Sequence, residues 1–457
     1  MPQPSERDSK DDYKQGNARL VALRVLNQVL NEGAYANIAL NKELLNTKTL
    51  SDLDRRFATE LVYGTLKAKG TLDWIIARNV SRTLKKISPV ILNILRLGVF
   101  QIYFLERIPA SAACNEAVSL AKAFGHEGTG KFVNAVLRSS VRSLDTCQYP
   151  TMAENPKLHL ALAYQHPEWL MGKWLKRFGE EATIKLCEYD NTARPLTLRV
   201  NTLTTTRKQL LEQLLAEGLV AVPSDWSPDG IVCTQLPSLQ ELFQKHGREI
   251  YVQDESSMLV APIVNPQPGQ IVIDVCSAPG GKTTHLAQLM RNQGKIIATD
   301  IHAHKLNLIR ENAARLGITI IDARERDGVV TVPEWKRLAD CVLVDAPCSG
   351  LGVLGRRAEA RWTKDPDEFK KLPALQLAIL KNAAGYVKNG GILVYSTCTL
   401  EKAENQGVIA TFLAEEVNFA FKGFQHPRTG ETIEELQILP QQDGIDGFYI
   451  CALQRKA

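Results

Sequence analysis

The sequence has no apolar run approaching the roughly 18 residues that would suggest a membrane-spanning helix. Its first twenty residues, MPQPSERDSKDDYKQGNARL, are polar and charged. They have neither the apolar core of a signal peptide nor the acid-poor composition of a transit peptide. We therefore expect a soluble cytoplasmic protein that does not associate with membranes.

Cysteine is sparse and scattered along the chain. Nine cysteines in 457 residues do not make a disulfide scaffold, and no CxxC pair indicates a structural zinc site. No other cluster of metal-ligating residues is evident, so no metal is expected. Some cysteines are expected to be small core residues, and one or two to be reactive thiols.

Two common nucleotide-binding motifs are also missing. The GxGxxG pattern of dinucleotide sites does not occur. A Walker phosphate loop needs a glycine five residues before the Gly-Lys-Thr sequence, and that position is Cys276. The glycine-rich turn at this point must therefore serve another ligand.

Charge is distributed unevenly over a chain of ordinary globular composition, with 44% hydrophobic residues. Residues 1–145 contain 21 Lys+Arg against 14 Asp+Glu, whereas the remaining residues contain 34 against 36. A basic region followed by a near-neutral one favours a nucleic-acid-binding module joined to a catalytic module.

The segment 17–145 is predicted to form an all-helical domain, preceded by a polar tail at 1–16. Apolar residues recur at helical spacing in NARLVALRVLNQVLNEG, which Gly33 closes. Ser51 is the expected N-cap of a later helix. Residues 146–194 contain several prolines and are predicted to be a connector with one helix.

From residue 195 to 457 short apolar runs alternate with helical segments, which predicts an α/β domain with a parallel sheet. We divide it into a substrate-binding part, 195–265, and a core, 266–457. Ligands bind such sheets at the carboxyl ends of the strands. The successive runs are IVIDVC, KIIATDI, ITIIDARERD, CVLVDAP and ILVYSTC.

The segment IVIDVCSAPGGKTTHL, residues 271–286, predicts a cofactor loop between a buried strand and a helix. Its glycines allow a ligand to approach the backbone. Asp300 ends the next strand and can accept hydrogen bonds from ribose hydroxyls, or cap the following helix. Asp327 is placed to contact the adenine amino group, with Asp322 as the alternative.

Two cysteines each follow a buried strand, in VLVDAPCSG and ILVYSTCTL. One reaction that needs such a thiol is the methylation of cytosine at C5, a carbon that is not nucleophilic enough to accept a methyl group by itself. A thiolate that adds to C6 makes C5 nucleophilic, C5 takes the methyl group, and a base then removes the C5 proton. Asp345, three residues before Cys348, is a plausible partner for the edge of the cytosine base or for the methyl donor. Chemistry alone leaves open whether Cys348 or Cys398 attacks.

These motifs resemble those of the RNA 5-methylcytosine methyltransferases. The resemblance rests on VQDESSMLVAP, DVCSAPGGKTT, DAPCSGLG, YSTCTLEKAEN and DGFYICALQR. Ser277 stands where the family usually has alanine, a small change. DRRFATELVYGTLK and KFVNAVLR are similar to NusB-type RNA-binding domains. A NusB-like domain before this catalytic domain is the arrangement of the RsmB (Sun/Fmu) family.

The resemblance implies a Rossmann-like class I methyltransferase domain with a mostly parallel seven-stranded sheet. It implies that the enzyme forms 5-methylcytidine in bacterial 16S ribosomal RNA. Cys398 would be the nucleophile, Cys348 would assist product release, and Asp345 would contribute to catalysis. S-adenosylmethionine would be bound by Cys276, Ser277, Ala278, Pro279, Gly280, Gly281, Lys282, Asp300, Asp327 and Asp345.

Several alternatives accompany this interpretation. DNA cytosine methyltransferases place the attacking cysteine in the earlier motif, which would exchange the two roles. The substrate could be another RNA such as tRNA, or the chain could be a non-catalytic assembly factor. We expect a monomer that acts on naked 16S RNA or an early assembly intermediate. Basic residues expected to follow RNA phosphates are Arg55, Arg56, Lys85, Lys86, Arg356, Arg357 and Arg361.

Overall fold

The computed structural model describes residues 17–235, 239–364 and 366–457. Contacts divide the chain into two compact units. The first contains the described residues up to Thr192 together with Leu354–Lys364, and the second contains Ala193–Val353 and the described residues that follow Lys364. The polar tail predicted at 1–16 lies outside the described residues, and the predicted domain boundaries remain predictions.

The described residues of the first unit form helices and no strand, as predicted. Residues 146–194 contain three helices rather than one, because Pro156 begins a helix, Pro167 precedes another, and Gly179, at φ +79°, separates the last two. The helices before residue 200 are α1 Ala18–Glu32, α2 Ala36–Asn46, α3 Asp52–Arg78, α4 Pro89–Phe104, α5 Ala110–Ala123, α6 Glu127–Arg142, α7 Pro156–Ala163, α8 Glu168–Phe178 and α9 Glu180–Asn191, with 3-10 turns at Leu84–Lys86 and Leu144–Thr146.

Local signals account for several helix ends in this unit. The Ser51 side chain accepts a hydrogen bond from the backbone of Asp54 at the start of α3, which confirms the predicted cap. Gly33 ends α1 in the left-handed conformation, at φ +77°, which glycine adopts without steric cost. The apolar stripe of α1 is fully buried in the helical core.

The second unit begins with a four-stranded antiparallel sheet in the order β2-β3-β1-β4. Apolar side chains of its strands pack against two helices. The elements are β1 Leu196–Val200, α10 Arg207–Ala216, β2 Val220–Pro223, β3 Gly230–Gln235, α11 Leu239–His246 and β4 Ile250–Val252. Two short helices, α12 Glu255–Met258 and α13 Val260–Val264, follow.

The core sheet of this unit has the order β10-β14-β9-β8-β5-β6-β7, and the five strands from β9 to the edge strand β7 are parallel. Its elements are β5 Ile271–Asp274, α14 Gly281–Leu289, β6 Lys295–Asp300, α15 Ala303–Arg315, β7 Ile321–Glu325, a 3-10 turn at Pro333–Trp335, β8 Ala339–Asp345, α17 Pro366–Phe369, α18 Leu372–Ala384, β9 Val387–Thr397, α19 Gln406–Glu415, β10 Phe419–Phe421, β13 Glu435–Ile438, α20 Pro440–Asp443 and β14 Phe448–Arg455. Between β8 and α17 the chain forms α16 Ala360–Thr363, which belongs to the first unit. A small hairpin of β11 Phe424–Gln425 and β12 Thr432–Ile433 stands apart.

The predicted mostly parallel sheet is confirmed, with eight strands among the described residues where seven were expected. The extra strand arises because β14 has two short antiparallel neighbours on the side opposite β9. β10 pairs with its last three residues and β13 with its first four.

Both faces of the core sheet are covered, which explains the continuous apolar character of its strands. Val272, Leu343 and Val394 pack into the core on one face. Their neighbours Ile273, Val342 and Leu393 pack into the core on the other. The parallel strands therefore lie inside the unit, and their carboxyl ends bring the predicted site residues to one edge.

None of the helices that the structure describes is both long and apolar enough to cross a bilayer.

A segment from the middle of the sequence, Leu354–Lys364, belongs to the helical unit. Arg361 in α16 is 1% exposed and donates hydrogen bonds to the carbonyls of Gln165 and Asp190 and to the side chain of Asn191, at 2.8–2.9 Å. The Trp362 indole donates to the Leu66 carbonyl at 2.6 Å. The segment thus completes the interior of this unit.

The prediction that Arg361 follows RNA phosphates is wrong, because its guanidinium is buried against backbone carbonyls. Arg55 is also partly committed to the fold, since it donates to the Leu44 carbonyl at 2.9 Å. Arg356 is half-buried. The other residues of the predicted phosphate-binding set, namely Arg56, Lys85, Lys86 and Arg357, are exposed.

We predict that Arg361→Ala destabilises the helical unit by about 3 kcal/mol, because it leaves several buried oxygen acceptors without a donor. Thermal and denaturant unfolding of the full chain would measure the change. Arg357→Ala, which removes an exposed arginine of the same segment, should shift stability by less than about 0.5 kcal/mol. Equal effects of the two substitutions would contradict the prediction.

Candidate active site

The predicted cofactor loop connects the end of β5 to the start of α14. Gly280 has φ +99°, and a Cβ there would lie 3.2 Å from the Cα of Ile309, so the turn requires glycine. Both the backbone N–H and the side chain of Ser277 donate to the Thr299 carbonyl, at 2.8 and 2.9 Å. The serine that replaces the usual alanine therefore adds a hydrogen bond that ties the loop to β6.

Carboxylates surround this loop. Burial raises the pKa of the Cys276 thiol above its usual value, and the charges of four aspartates raise it further. In decreasing order of effect they are Asp274, Asp345, Asp300 and Asp327. The structure therefore brings together the three aspartates predicted to bind the cofactor and adds Asp274.

Asp300 and Asp327 hold the turns in which they lie. Asp300 ends β6, and its carboxylate accepts the backbone N–H of His302 at 2.9 Å, just before α15. Asp327 follows β7 and accepts the backbone N–H of Val329 at 3.1 Å.

Asp322 lies on β7 itself, where Arg324 donates to it at 2.7 Å and Lys295 lies 3.7 Å away. Its carboxylate is thus already engaged by two cations.

The two predicted cysteines lie side by side. Cys348 follows β8 and Cys398 follows the adjacent parallel strand β9, and their sulfur atoms are 3.4 Å apart. All nine cysteines are thiols rather than disulfides. The hydrogen bond with Cys398 raises the pKa of Cys348 well above its usual value, and burial raises it further. Both effects favour the protonated form of Cys348.

Gly352 allows the two cysteine loops to approach each other. Its N–H donates to the Cys398 carbonyl at 3.0 Å. A Cβ at this position would lie 2.9 Å from that carbonyl oxygen and 2.2 Å from the oxygen of Gly447. Gly352 is the last residue of DAPCSGLG. A larger residue there would collide with the backbone at Cys398, which lies in YSTCTLEKAEN.

Asp345 lies between a lysine and a serine at the end of β8. Lys282 donates to one carboxylate oxygen at 2.8 Å, and Ser396 donates to the other at the same distance. Burial alone would lower the pKa of Lys282, but Asp345, and then Cys398, raise it above its usual value. A buried cation that faces Cys398 favours the thiolate form of that residue.

Residues outside the core sheet hold α14, the helix that follows the cofactor loop, and these were not predicted from the sequence. Arg199 on β1 is fully buried and donates to the Gly281 carbonyl, to Gln253 and, at 2.8 Å, to the hydroxyl of Thr284. Burial lowers the pKa of this arginine to about 9. An arginine inside the apolar strand TLRVNTL was the available signal.

The segment VQDESSMLVAP, used above only as one of the motifs of the family resemblance, contributes directly to the site. Gln253 receives a hydrogen bond from Arg199, and Ser257 receives one from Lys282 at 3.2 Å.

The residues present fit S-adenosylmethionine, whose sulfonium and ammonium groups are positively charged. Aspartates at the carboxyl ends of β6 and β8 and after β7 provide opposite charge. The Gly280 turn leaves the backbone open to a ligand, and α14 begins at Gly281 with its N–H groups directed toward the loop. Both thiols follow strands of this same sheet, at the carboxyl ends of β8 and β9.

Comparison with known families gives three matches along the chain. The 16S rRNA methyltransferase RsmB/F family matches residues 261–454, which include the cofactor loop and both cysteines. The NusB family matches residues 16–142. An RsmF/B-like methyltransferase, ferredoxin-like domain matches residues 166–239, which include three strands of the four-stranded sheet.

Curated relatives align over almost the whole length. A probable ribosomal RNA small subunit methyltransferase B of Bacillus subtilis (strain 168) is 40% identical, covering 97% of this chain and 100% of the relative. The corresponding Synechocystis protein is 38% identical, with coverages of 96% and 99%. The ribosomal RNA small subunit methyltransferase B of Pseudomonas syringae pv. tomato is 33% identical, and 96% of each chain is covered.

Two solved structures share the architecture. The crystal structure of PH0851 has a TM-score of 0.83 at 26% identity and covers 95% of this chain and 98% of its own. A methyltransferase homologue from Pyrococcus horikoshii has a TM-score of 0.57 at 29% identity, with coverages of 66% and 99%. Together with the family matches, they confirm the predicted fold of a NusB-type helical domain followed by a methyltransferase domain.

We predict that stability depends on pH through Asp274, which ends β5 fully buried. Burial raises the pKa of its carboxyl to about 7, despite a hydrogen bond from Thr283. The folded state thus prefers the protonated form, and this contribution is complete below about pH 4 and lost as the pH rises through 7. Asp274→Asn should gain stability relative to wild type between pH 5 and 8, by on the order of 2–4 kcal/mol. The free energy of unfolding of both proteins would be measured across this pH range, and a constant difference between them at every pH would contradict the prediction.

Proposed function

Because the chain belongs to the 16S rRNA methyltransferase RsmB/F family, we propose that it transfers a methyl group from S-adenosylmethionine to carbon 5 of a cytosine in 16S ribosomal RNA. The observation that carries the chemistry is the pair of thiols 3.4 Å apart beside a carboxylate and a lysine. Methylation of an RNA nitrogen or hydroxyl would require neither thiol. Because its relatives act on ribosomal RNA, we also infer that the protein works in the cytoplasm.

Cys398 is the proposed nucleophile. Lys282 favours its thiolate, whereas burial and the hydrogen bond to Cys398 keep Cys348 protonated. This asymmetry supports the assignment implied by the family resemblance over the reverse order of the DNA enzymes. The sulfur of Cys398 adds to C6 of the base, the C5–C6 double bond opens, and C5 becomes the nucleophilic carbon.

Asp345 is proposed to orient the base or the donor. Lys282 and Ser396 hold its two oxygens, so its position is fixed before substrate arrives. The bound donor supplies an electrophilic methyl group, which C5 accepts. Asp300 and Asp327 would bind the ribose and the adenine amino group, and the loop from Cys276 to Lys282 would bind the remainder of the donor.

Cys348 is proposed to assist release. The largest effect that keeps it protonated is its hydrogen bond with Cys398, which is lost once that sulfur is bonded to C6. Once Cys348 has lost its own proton to solvent, its thiolate can accept the C5 proton. The electrons of the C5–H bond restore the C5–C6 double bond, and the C6–S electron pair returns to Cys398.

The target base must leave its stack to reach Cys398. The exposed basic residues of the helical unit, such as Lys85 and Lys86, are proposed to contact RNA phosphates, so binding should weaken with added salt. We propose that the protein acts as a monomer on naked 16S RNA or on an early assembly intermediate.

We predict different outcomes for the two cysteine variants with unmodified 16S RNA and labelled S-adenosylmethionine. Wild type should form 5-methylcytidine. Cys398→Ala should form neither product nor adduct, and Cys348→Ala should accumulate protein covalently bound to RNA. Denaturing gels and nucleoside analysis would measure both species.

An exchange of the two phenotypes would reverse the cysteine assignment. Transfer to tRNA alone would reject the ribosomal substrate. Donor binding without transfer to any RNA would favour a non-catalytic assembly factor.

We also predict that Asp327→Ala weakens S-adenosylmethionine binding by about tenfold, the effect of losing one charge-assisted hydrogen bond. Asp322→Ala is the matched control and should bind within about twofold of wild type, because Asp322 is paired with Arg324. Isothermal titration calorimetry would compare them. A greater loss for Asp322→Ala would transfer the adenine contact to that residue.

A further inference from the structure

A buried carboxylate lies next to the two thiols and has no part in the steps above. Glu404 is 1% exposed, and among the described residues its Oε1 atom has no hydrogen-bond partner. Removing a charged group from water is costly unless its contacts compensate. The position of Glu404 therefore calls for a role that an apolar residue would not fill.

The other oxygen of Glu404 holds the loop that carries Cys348. Its Oε2 atom accepts the backbone N–H of Ser349 at 2.8 Å and the side-chain amide of Gln376 at 2.9 Å. Gln376, fully buried on α18, also donates to the Pro347 carbonyl at 2.9 Å. One carboxylate and one amide thus fix the backbone on both sides of Cys348.

The backbone of Glu404 also contacts β9, the strand that Cys398 follows. Its carbonyl accepts the hydroxyl of Tyr395, a β9 residue, at 2.6 Å. Ser349 and Thr399 join the same two loops through their hydroxyls, also 2.6 Å apart. The position of one cysteine is therefore set relative to the other through Glu404.

We propose that Glu404 and Gln376 are positioning residues that hold Cys348 for the release of methylated RNA from Cys398. The inference rests on the proposed function, because it requires a covalent adduct. The side-chain hydrogen bonds of Glu404 and Gln376 given above do not involve Cys398 or Asp345. Attack by Cys398 and methyl transfer therefore do not depend on these two side chains directly. We call Glu404 and Gln376 together the clamp. It acts on the step in which the Cys348 sulfur must reach the C5 proton.

The test measures covalent adduct and released product separately, with full-length protein, unmodified 16S RNA and labelled S-adenosylmethionine. Gln376→Ala and Glu404→Ala should raise the fraction of protein trapped on RNA by about tenfold or more over wild type, since a misplacement of about 1 Å can slow a reaction by about a hundredfold. Glu404→Gln keeps an oxygen that can accept the Ser349 N–H and should give an intermediate level.

Controls separate a release defect from a general loss of structure. A misfolded site lowers adduct and product together, whereas a release defect raises the ratio of adduct to product. Gln101→Ala removes a buried glutamine that donates to a backbone carbonyl in the helical unit, and it should leave this ratio unchanged. Donor binding should remain within about twofold of wild type for the clamp variants.

The inference is overturned if Cys348→Ala accumulates adduct but Gln376→Ala and Glu404→Gln behave as wild type. It is also overturned if the clamp variants lose adduct and product in parallel. If Cys348→Ala itself traps no RNA, the release role in the proposed function has failed, and the clamp falls with it. Should Glu404→Ala not fold, Gln376→Ala and Glu404→Gln carry the test.

Discussion

The parallel pairing of β8 with β9 is the constraint on which the site depends. Asp345 and Ser396 stand opposite each other in register at the ends of these strands, so both strands turn at the same level. The turns bring two thiols within 3.4 Å, a distance that neither loop would define alone. Gly352 and Glu404 then join the loops to each other. Shifting either strand by one residue would exchange its side chains between the two faces of the sheet and separate Asp345 from Ser396.

Buried charges divide the site into two regions of opposite character. Around Cys276 several carboxylates accumulate, which suits a cationic donor and disfavours a thiolate at that cysteine. Near Cys398, Lys282 introduces a positive charge that is itself balanced by Asp345. The same sheet edge therefore holds one cysteine inert and favours the ionisation of another. Arg199, from the smaller sheet, fixes the first turn of α14, the helix that follows the cofactor loop.

Much of the fold followed from pattern. The helical stripes of residues 17–142, the Ser51 cap and the five apolar strands are local features, and the structure contains them. The edge of the sheet was harder to predict, because β10 and β13 are short strands whose existence depends on pairing with β14. Arg361 was misjudged for a related reason. It lies in RRAEARWTK, a segment rich in charged residues, and only the packing of residues 354–364 into the helical unit buries it.

The sequence by itself indicated an RNA methyltransferase, since the cofactor loop and the two cysteine motifs that resemble this family are each encoded within a few consecutive residues. Tertiary structure decided what those residues can do to one another. It placed Lys282 against Asp345 across 63 positions of chain, and Glu404 against Ser349 across 55. Such contacts depend on strand order and on helices from other parts of the unit. Hydrogen bonds and buried charges act over a few ångströms in space, and a linear pattern contains no information about which distant residues will share that space.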